Sequence, residues 1–305
     1  MNLNFTLTDN TTYAGKQLFE FFSDLLITSP SIGSFRTFGN VKSKIKVPKY
    51  DAGNVLQTGS CSPSASGEGT LDEKEMEVCD FDIYMELCLK TFEQNFLSEK
   101  LPAGANIEQV APKEFTDYMI NQVLTKAAAN LETIAWQGDS ATASYPIGLC
   151  DGLRKKLLAD GTVVDVTATA STISAANVVG EVDKVYTSIP STLYLNEDFV
   201  IYVSVDIAKA YKQAQAAVTG GLFMVGDKEL NYIGIPLVTA PGLPAKHMVA
   251  GSKKNFIFLT DIMVDMEDIQ IIPQRKVNGK PTAIVQGSFK AGFEYLVGAE
   301  IVLYS

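Results

Sequence analysis

The sequence predicts an α+β fold, and three observations carry that prediction. Residues 111–139 read as one long helix. Residues 41–47 and 73–87 alternate with a period of two, as strands do. Residues 150–262 mix helices with strands, and 268–304 read as strand alone.

The long helix opens with Pro112, which suits a first helical position because its missing N–H has no helical partner to lose. Glu114 and Asp117 follow in the first turns, where acidic groups favour the dipole. Phe115, Met119, Val123, Ala127, Leu131 and Ile134 make one apolar stripe, and Ile120, Leu124, Ala128 and Ala135 widen it. Gly138 supplies the stop. A rod of roughly 26 residues is about 39 Å long. Ala127, Ala128 and Ala129 leave room at mid-length for a closely crossing sheet.

The chain has 305 residues, 46% of them hydrophobic and 20% charged, with a formal net charge of −10. That balance is that of a soluble globular protein with a sizeable core, and it disfavours nucleic-acid binding by the whole surface. No apolar run reaches membrane-spanning length. The N-terminus lacks a basic stretch followed by an apolar core, so no secretory signal is expected. On that reading Cys61, Cys79, Cys88 and Cys150 are expected as free thiols rather than disulfides, and their spacing does not suit zinc.

From the N-terminus, residues 13–27 predict a short amphipathic helix, which SPSIGS (29–34) ends; it either docks on a neighbour or caps its own domain. Val41 to Val47 alternates strictly, with Lys42, Lys44 and Lys46 on one face. Glu73, Glu75 and Glu77 alternate likewise, and after Cys79 the apolar phase slips to Phe81, Ile83, Met85 and Leu87. The slip predicts a bulge or kink near Cys79. The two strands make a long arm joined by GSCSPSASGEG (59–69), with the lysines facing the glutamates across it. Such an arm is marginal alone and calls for support from another subunit, or else it is an internal sheet edge. Residues 89–111 are a polar connection, and 138–153 a glycine-bearing link.

In the following lobe, Thr162–Val166 predicts a strand, and Ala175 to Ile189 a helix capped within Ser171–Ser174. Phe199–Val205 predicts a buried strand, after which Asp206 caps a helix ending at Gly220-Gly221. Leu230–Val238 and Asn255–Leu259 are strand-like. In the terminal strands, Asn278-Gly279 is a hairpin turn, and Arg275, Lys276 and Lys280 give it a basic tip.

Catalytic signals are weak. A Ser-His-Asp or Cys-His arrangement would have to use His247, the single histidine, and no nucleophile elbow or phosphate loop accompanies it. Asp265, Glu267 and Asp268 read as a solvated acidic turn ahead of a cation site. No enzyme activity, cofactor or metal is expected.

The order of parts resembles the major capsid protein of tailed bacteriophages with the HK97-type fold. TYAGKQL (12–18), IAWQGD (134–139) with GLCDGL (148–153), and KKNFIFLTDIMVDMEDIQI (253–271) also resemble capsid proteins of phages of Bacteroidetes hosts. The resemblance implies an HK97-like fold with an N-terminal arm at 1–34 and an extended E-loop hairpin at 35–80. It implies a P-domain with spine helix 112–137 and a long β-sheet at 81–148 and 263–297. An α/β A-domain would occupy 149–262, rejoined by a terminal strand at 298–305. It further implies hexamers and pentamers in an icosahedral shell around double-stranded DNA, with no sequence-specific DNA contact and no membrane. Assembly would take place in the bacterial host cytoplasm, with scaffolding, portal and cement proteins as separate partners; scaffolding is separate or absent because no long segment precedes the arm. The lysine–asparagine cross-link of some members is not predicted. The expected interface residues are Lys42, Lys44, Lys46, Glu73, Glu75 and Glu77 on the arm, and Arg275, Lys276, Asn278, Gly279 and Lys280 at the terminal tip. The alternatives are an encapsulin-like compartment shell and, from another class, a soluble hydrolase using His247.

Overall fold

The computed structural model describes residues 11–13, 30–52, 56, 59, 61, 69–88, 112–194, 196–218, 230–261, 269–274, 280 and 282–305. In chain order the strands are β1 (Thr11–Tyr13), β2 (Arg36–Phe38), β3 (Lys44–Ala52), β4 (Gly69–Glu77) and β5 (Cys79–Cys88). The long helix α1 (Pro112–Gln137) and the short α2 (Leu153–Ala159) follow. The lobe after them holds β6 (Val164–Val166), α3 (Val178–Thr187), β7 (Phe199–Val203), α4 (Val205–Val218), β8 (Leu230–Tyr232), β9 (Ile235–Thr239) and β10 (Met248–Ser252). The chain closes with β11 (Phe256–Thr260), β12 (Ile269–Pro273), β13 (Thr282–Tyr295) and β14 (Val302–Tyr304).

Among the described residues the strands form two six-stranded sheets and one separate pair. The first sheet is organised on β13, the longest of these strands. β5 runs antiparallel along one edge, from Thr282↔Cys88 to Ala291↔Cys79. The other edge takes β12 over Ala283–Gln286 and β11 over Ala291–Tyr295. β1 extends the sheet beyond β12, and β2 extends it beyond β11. The second sheet has the order β6-β14-β10-β7-β9-β8. The chain's last strand therefore leaves the first sheet and pairs with β10 and β6 of the second. Residues 293–304 are thus two strands in different sheets, separated by a 3-10 turn at Gly298–Glu300, where the sequence suggested one run.

β7 is apolar at every position because both its faces are covered. Ile201 and Val203 pack with Val182, Val185, Ile207 and Tyr211 of α3 and α4. Val200 and Tyr202 face the other core, shared with α1 and the first sheet. A strand buried on two sides reads as a continuous apolar run. The expected strand over 230–238 divides at Ile233 (φ 45°) and Gly234 (φ 87°), which make a two-residue turn between β8 and β9. α4 begins at Val205, so Asp206 lies in its first turn rather than capping it; its Oδ2 accepts the Lys246 N–H instead.

α1 sits where the two sheets meet. Its buried face, Val123, Leu124, Ala128, Leu131, Ile134, Ala135 and Trp136, belongs to one core with Phe256, Phe289 and Phe293. Trp136 is fully enclosed; its ring lies 5.8 Å from Phe35 and 5.3 Å from Tyr202 between centroids. Ala128 is the small residue that admits the sheet, whereas Ala129 is exposed. Gly138 ends the helix and also lets the chain return closely, since a Cβ there would strike the Cys150 carbonyl oxygen. The amphipathic helix expected at 13–27 lies outside the described residues apart from Tyr13, which belongs to β1.

Candidate assembly interface

The arm is the two-stranded sheet β3–β4, with Lys44 opposite Glu77, Lys46 opposite Glu75 and Tyr50 opposite Leu71. Side chains alternate across the ladder, so the pair has two different faces. On one, Lys44 Nζ lies 2.7 Å from Glu75 Oε1 and 3.1 Å from Glu77 Oε2. Lys46 Nζ lies 3.3 Å from Glu73 Oε2. Hydrogen bonds to Glu75 and Glu77 hold the Lys44 ammonium above its ordinary range, and Lys44 holds the Glu75 carboxyl below its own. All five side chains are exposed, so the ladder registers the strands more than it stabilises them. Lys42 precedes β3, outside the ladder; its backbone carbonyl accepts from Lys290 Nζ at 3.0 Å. The alternating strand begins at Lys44 because Val41 has turned inward: it is buried, and its N–H donates to Thr260.

The opposite face of the arm is anchored to its own chain. Met76 is wholly buried with Val41, Ile257 and Leu259, and Ile45, Val47 and Val78 pack against them. Lys74 Nζ lies 3.3 Å above the Tyr295 ring and 3.4 Å from Glu294 Oε1. Burial pushes the Lys74 ammonium down, against the pull of Glu294. This cover ends at Lys74. Further out on the ladder's own face, the cross-strand partners Tyr50 and Leu71 are 68% and 69% exposed. The arm thus has a packed root and, further out, one bare apolar pair among charged residues.

At the root the chain changes sheets. Val78 donates to the Ser43 carbonyl at 3.1 Å, which closes the arm, and the next residue, Cys79, begins β5. The phase slip near Cys79 is this change of sheet. Gly292 of β13 makes room for it, since a Cβ there would lie 2.5 Å from the Glu77 carbonyl oxygen. Cys79 is bonded to Cys150, in the link between α1 and α2, across 71 residues of sequence. The expectation of free thiols is therefore corrected at these two positions. It rested on the expected compartment, whereas the fold brings β5 beside the segment that follows α1. Cys61 is free and exposed. Beside the disulfide lies an open groove of about 620 Å³, lined by Asp80, Phe81, Asp82, Lys126, Tyr145 and Leu149 among others.

Of the terminal tip, Lys280 is exposed, and Arg275, Lys276, Asn278 and Gly279 lie outside the described residues, as do Asp265, Glu267 and Asp268. No group of three His, Cys, Asp or Glu side chains suited to a metal occurs among the described residues. His247 Nδ1 meets the Ala245 carbonyl at 2.8 Å; burial, and then the Arg154 charge, lower its affinity for a proton.

One buried polar cluster escaped the sequence reading. Ser31 Oγ donates to Glu132 Oε1 and accepts from Trp136 Nε1 at 2.8 Å, and Ser34 Oγ and Tyr202 Oη lie 2.5 Å apart. Burial raises the Glu132 carboxyl, opposed by Ser31 and the Ile32 amide. The signal was present: Glu132 continues the row Ile120, Leu124, Ala128 by one more turn, placing a carboxylate on an apolar face.

No family model and no curated protein matches this sequence. Solved structures do. A chain of the satellite phage P4 procapsid, solved with its size determination (Sid) protein, aligns over 94% of this chain and 98% of its own, with TM-score 0.61 and 12% identity. A chain of the capsid of the empty GTA particle aligns over 91% and 89%, with TM-score 0.59 and 15% identity. A chain of Gordonia phage Cozz aligns over 91% and 86%, with TM-score 0.57 and 11% identity. At these identities the likeness speaks to architecture: the chain has the mixed α+β fold of phage capsid proteins.

Proposed function

We propose that this chain is the major capsid protein of a tailed phage, a structural subunit that builds an icosahedral shell from hexamers and pentamers around double-stranded DNA. The observation that carries the reading is the end-to-end correspondence with a procapsid chain, 94% of one and 98% of the other. An enzyme sharing only a core with a capsid protein would not align over both whole lengths. The arm supports the same reading, because a hairpin with Tyr50 and Leu71 bare calls for a neighbour.

In this reading residues 1–34 are the N-terminal arm and 35–80 the E-loop of an HK97-type subunit. Residues 81–148 and 263–297 form the P-domain with α1 as spine helix. Residues 149–262 form the A-domain, to which 298–305 return. Lys42, Lys44, Lys46, Glu73, Glu75 and Glu77 on the arm, with Arg275, Lys276, Asn278, Gly279 and Lys280 at the terminal tip, are the proposed inter-subunit contacts. Assembly takes place in the bacterial host cytoplasm, with scaffolding, portal and cement proteins as separate partners. Bacteroidetes phages are the first source to search, on the strength of the short segment resemblances.

Particle size tests this directly, by light scattering and negative-stain electron microscopy of the protein from its source or from a recombinant lysate. Closed shells tens of nanometres across are expected, and DNA inside them separates a phage head from an encapsulin-like compartment. A monomer under all conditions, with candidate scaffold added, overturns the proposal.

A further inference from the structure

The Cys79–Cys150 bond joins two points that matter mechanically. Cys79 is the first residue after the arm, where the chain passes from the two-stranded sheet into the six-stranded one. Cys150 follows the 3-10 turn Ile147–Leu149, between α1 and α2. The cross-link therefore ties the arm's root to the segment that leaves the long helix. Non-covalent contacts already seat this root: Met76 is buried, Val78 bonds to Ser43, and Lys290 holds both the Lys42 carbonyl and Asp80. The root can thus sit in place with the cysteines reduced, and the bond adds a covalent hold to an existing geometry.

We propose that Cys79 and Cys150 form a redox-set latch, open as two thiols while subunits assemble and closed as a disulfide once the particle meets an oxidising medium. The timing rests on the shell reading above, because a cytoplasmic subunit meets a reducing thiol pool and a released particle does not. The oxidant is a small disulfide such as oxidised glutathione. The half-buried Cys79 is the sulfur that can reach the oxidant, whereas Cys150 is 5% exposed. The Cys79 thiolate attacks one sulfur of the small disulfide and releases one small thiol. The Cys150 thiolate then attacks the Cys79 sulfur of the mixed disulfide and releases the second. Two electrons pass to the small disulfide, and the two cysteine protons end on the released thiols. While open, the arm root can adjust as neighbours arrive; when closed, it cannot leave the end of α1.

The test alkylates lysates at harvest with N-ethylmaleimide and compares them with purified, released particles by peptide mass spectrometry. Maleimide adducts at Cys79 and Cys150 are expected in freshly trapped intracellular protein. A Cys79–Cys150 cross-linked peptide is expected in released particles. Reduction should lower the unfolding temperature of the particle protein by about 7 °C, as closure of a loop of this length implies for a chain of this size. Cys150→Ser should match the reduced protein, and Cys61→Ser should change nothing. A cross-link already complete inside the cell, free thiols in released particles, or an unfolding temperature unmoved by reduction each overturns the latch. If no particles form, the shell reading falls by itself. The latch is then judged on the soluble subunit, and it fails if oxidised glutathione does not close the bond or if reduction does not shift unfolding.

Discussion

Replacing Glu132 with Gln should stabilise this protein at neutral pH, although it removes a carboxylate from the buried face of α1, near its C-terminal end. Glu132 is 3% exposed; Oε1 accepts the Ser31 hydroxyl, and no hydrogen bond reaches Oε2. Desolvation raises its proton affinity, with Ser31, the amides of Ile32 and Gly242, and Trp136 opposing. The titratable neighbour facing it is Tyr202, itself pushed far up by burial and therefore neutral. A raised carboxyl binds protons more tightly folded than unfolded. Its contribution is present in full below the ordinary value of 4.5 and is lost as pH rises through the folded value. Gln mimics the protonated acid at every pH. Relieving a buried, incompletely bonded charge is worth about 1–3 kcal/mol. At about 2.1 cal/mol/K of unfolding entropy per residue, a chain of 305 residues converts that into about 2–5 °C. Thermal unfolding of both proteins from pH 4.5 to pH 8 is the assay. The curves should converge near pH 4.5 and separate above it, the variant melting higher. A variant that melts lower at pH 7, or a gap that does not change with pH, refutes the argument.

Met76→Ala should cost about 2–5 kcal/mol and speed amide exchange in β3 and β4 ahead of β13, because Met76 is the fully buried anchor of the arm. Equal acceleration everywhere would deny the arm its independence. Gly292→Ala should destabilise by about 1–3 kcal/mol, read by urea unfolding, since the new methyl meets the Glu77 carbonyl rather than a movable side-chain end. Lys42, Lys44 and Lys46 together changed to Glu should impair assembly and leave the subunit folded, as scored by electron microscopy beside circular dichroism; normal shells from that variant would remove the arm from the interface.

What the sequence disclosed was periodic. α1, β7 and β11 were legible because burial on one or two faces leaves a repeat in the residues themselves. The phase slip at Cys79 is visible but suggests a bulge or kink; it is a change of sheet, since one face cannot stay inward when the partner strand changes from β3 to β13. What stayed hidden depended on contacts between distant segments. Nothing in the strand-like run of β13 shows that Gly292 is glycine so that the arm can cross it. Glu132 lies on the apolar stripe but escaped the sequence reading, and its partner Ser31 lies 101 residues away. The cysteines misled for another reason: the prediction of free thiols came from the expected compartment, which says nothing of distance between side chains.

The arm's charges and its bare pair Tyr50 and Leu71 do different work, and that separation bears on how an interface would form. Lys44 and Lys46 are already neutralised by Glu73, Glu75 and Glu77 of the same hairpin. A ladder satisfied within one subunit has little net charge left to attract a neighbour across solvent. Reversing Lys44 and Lys46 would leave five acids and no bases on the ladder formed with Glu73, Glu75 and Glu77, splaying β3 from β4. The assembly defect would then arise because Tyr50 and Leu71 lose their common face. Tyr50→Ser with Leu71→Ser separates the two causes. If the ladder only shapes the hairpin, this pair should block assembly at unchanged subunit stability, with salt having little effect on the wild-type reaction. Assembly that proceeds with the double serine variant but collapses with rising salt would mean that the charges themselves hold the subunits together.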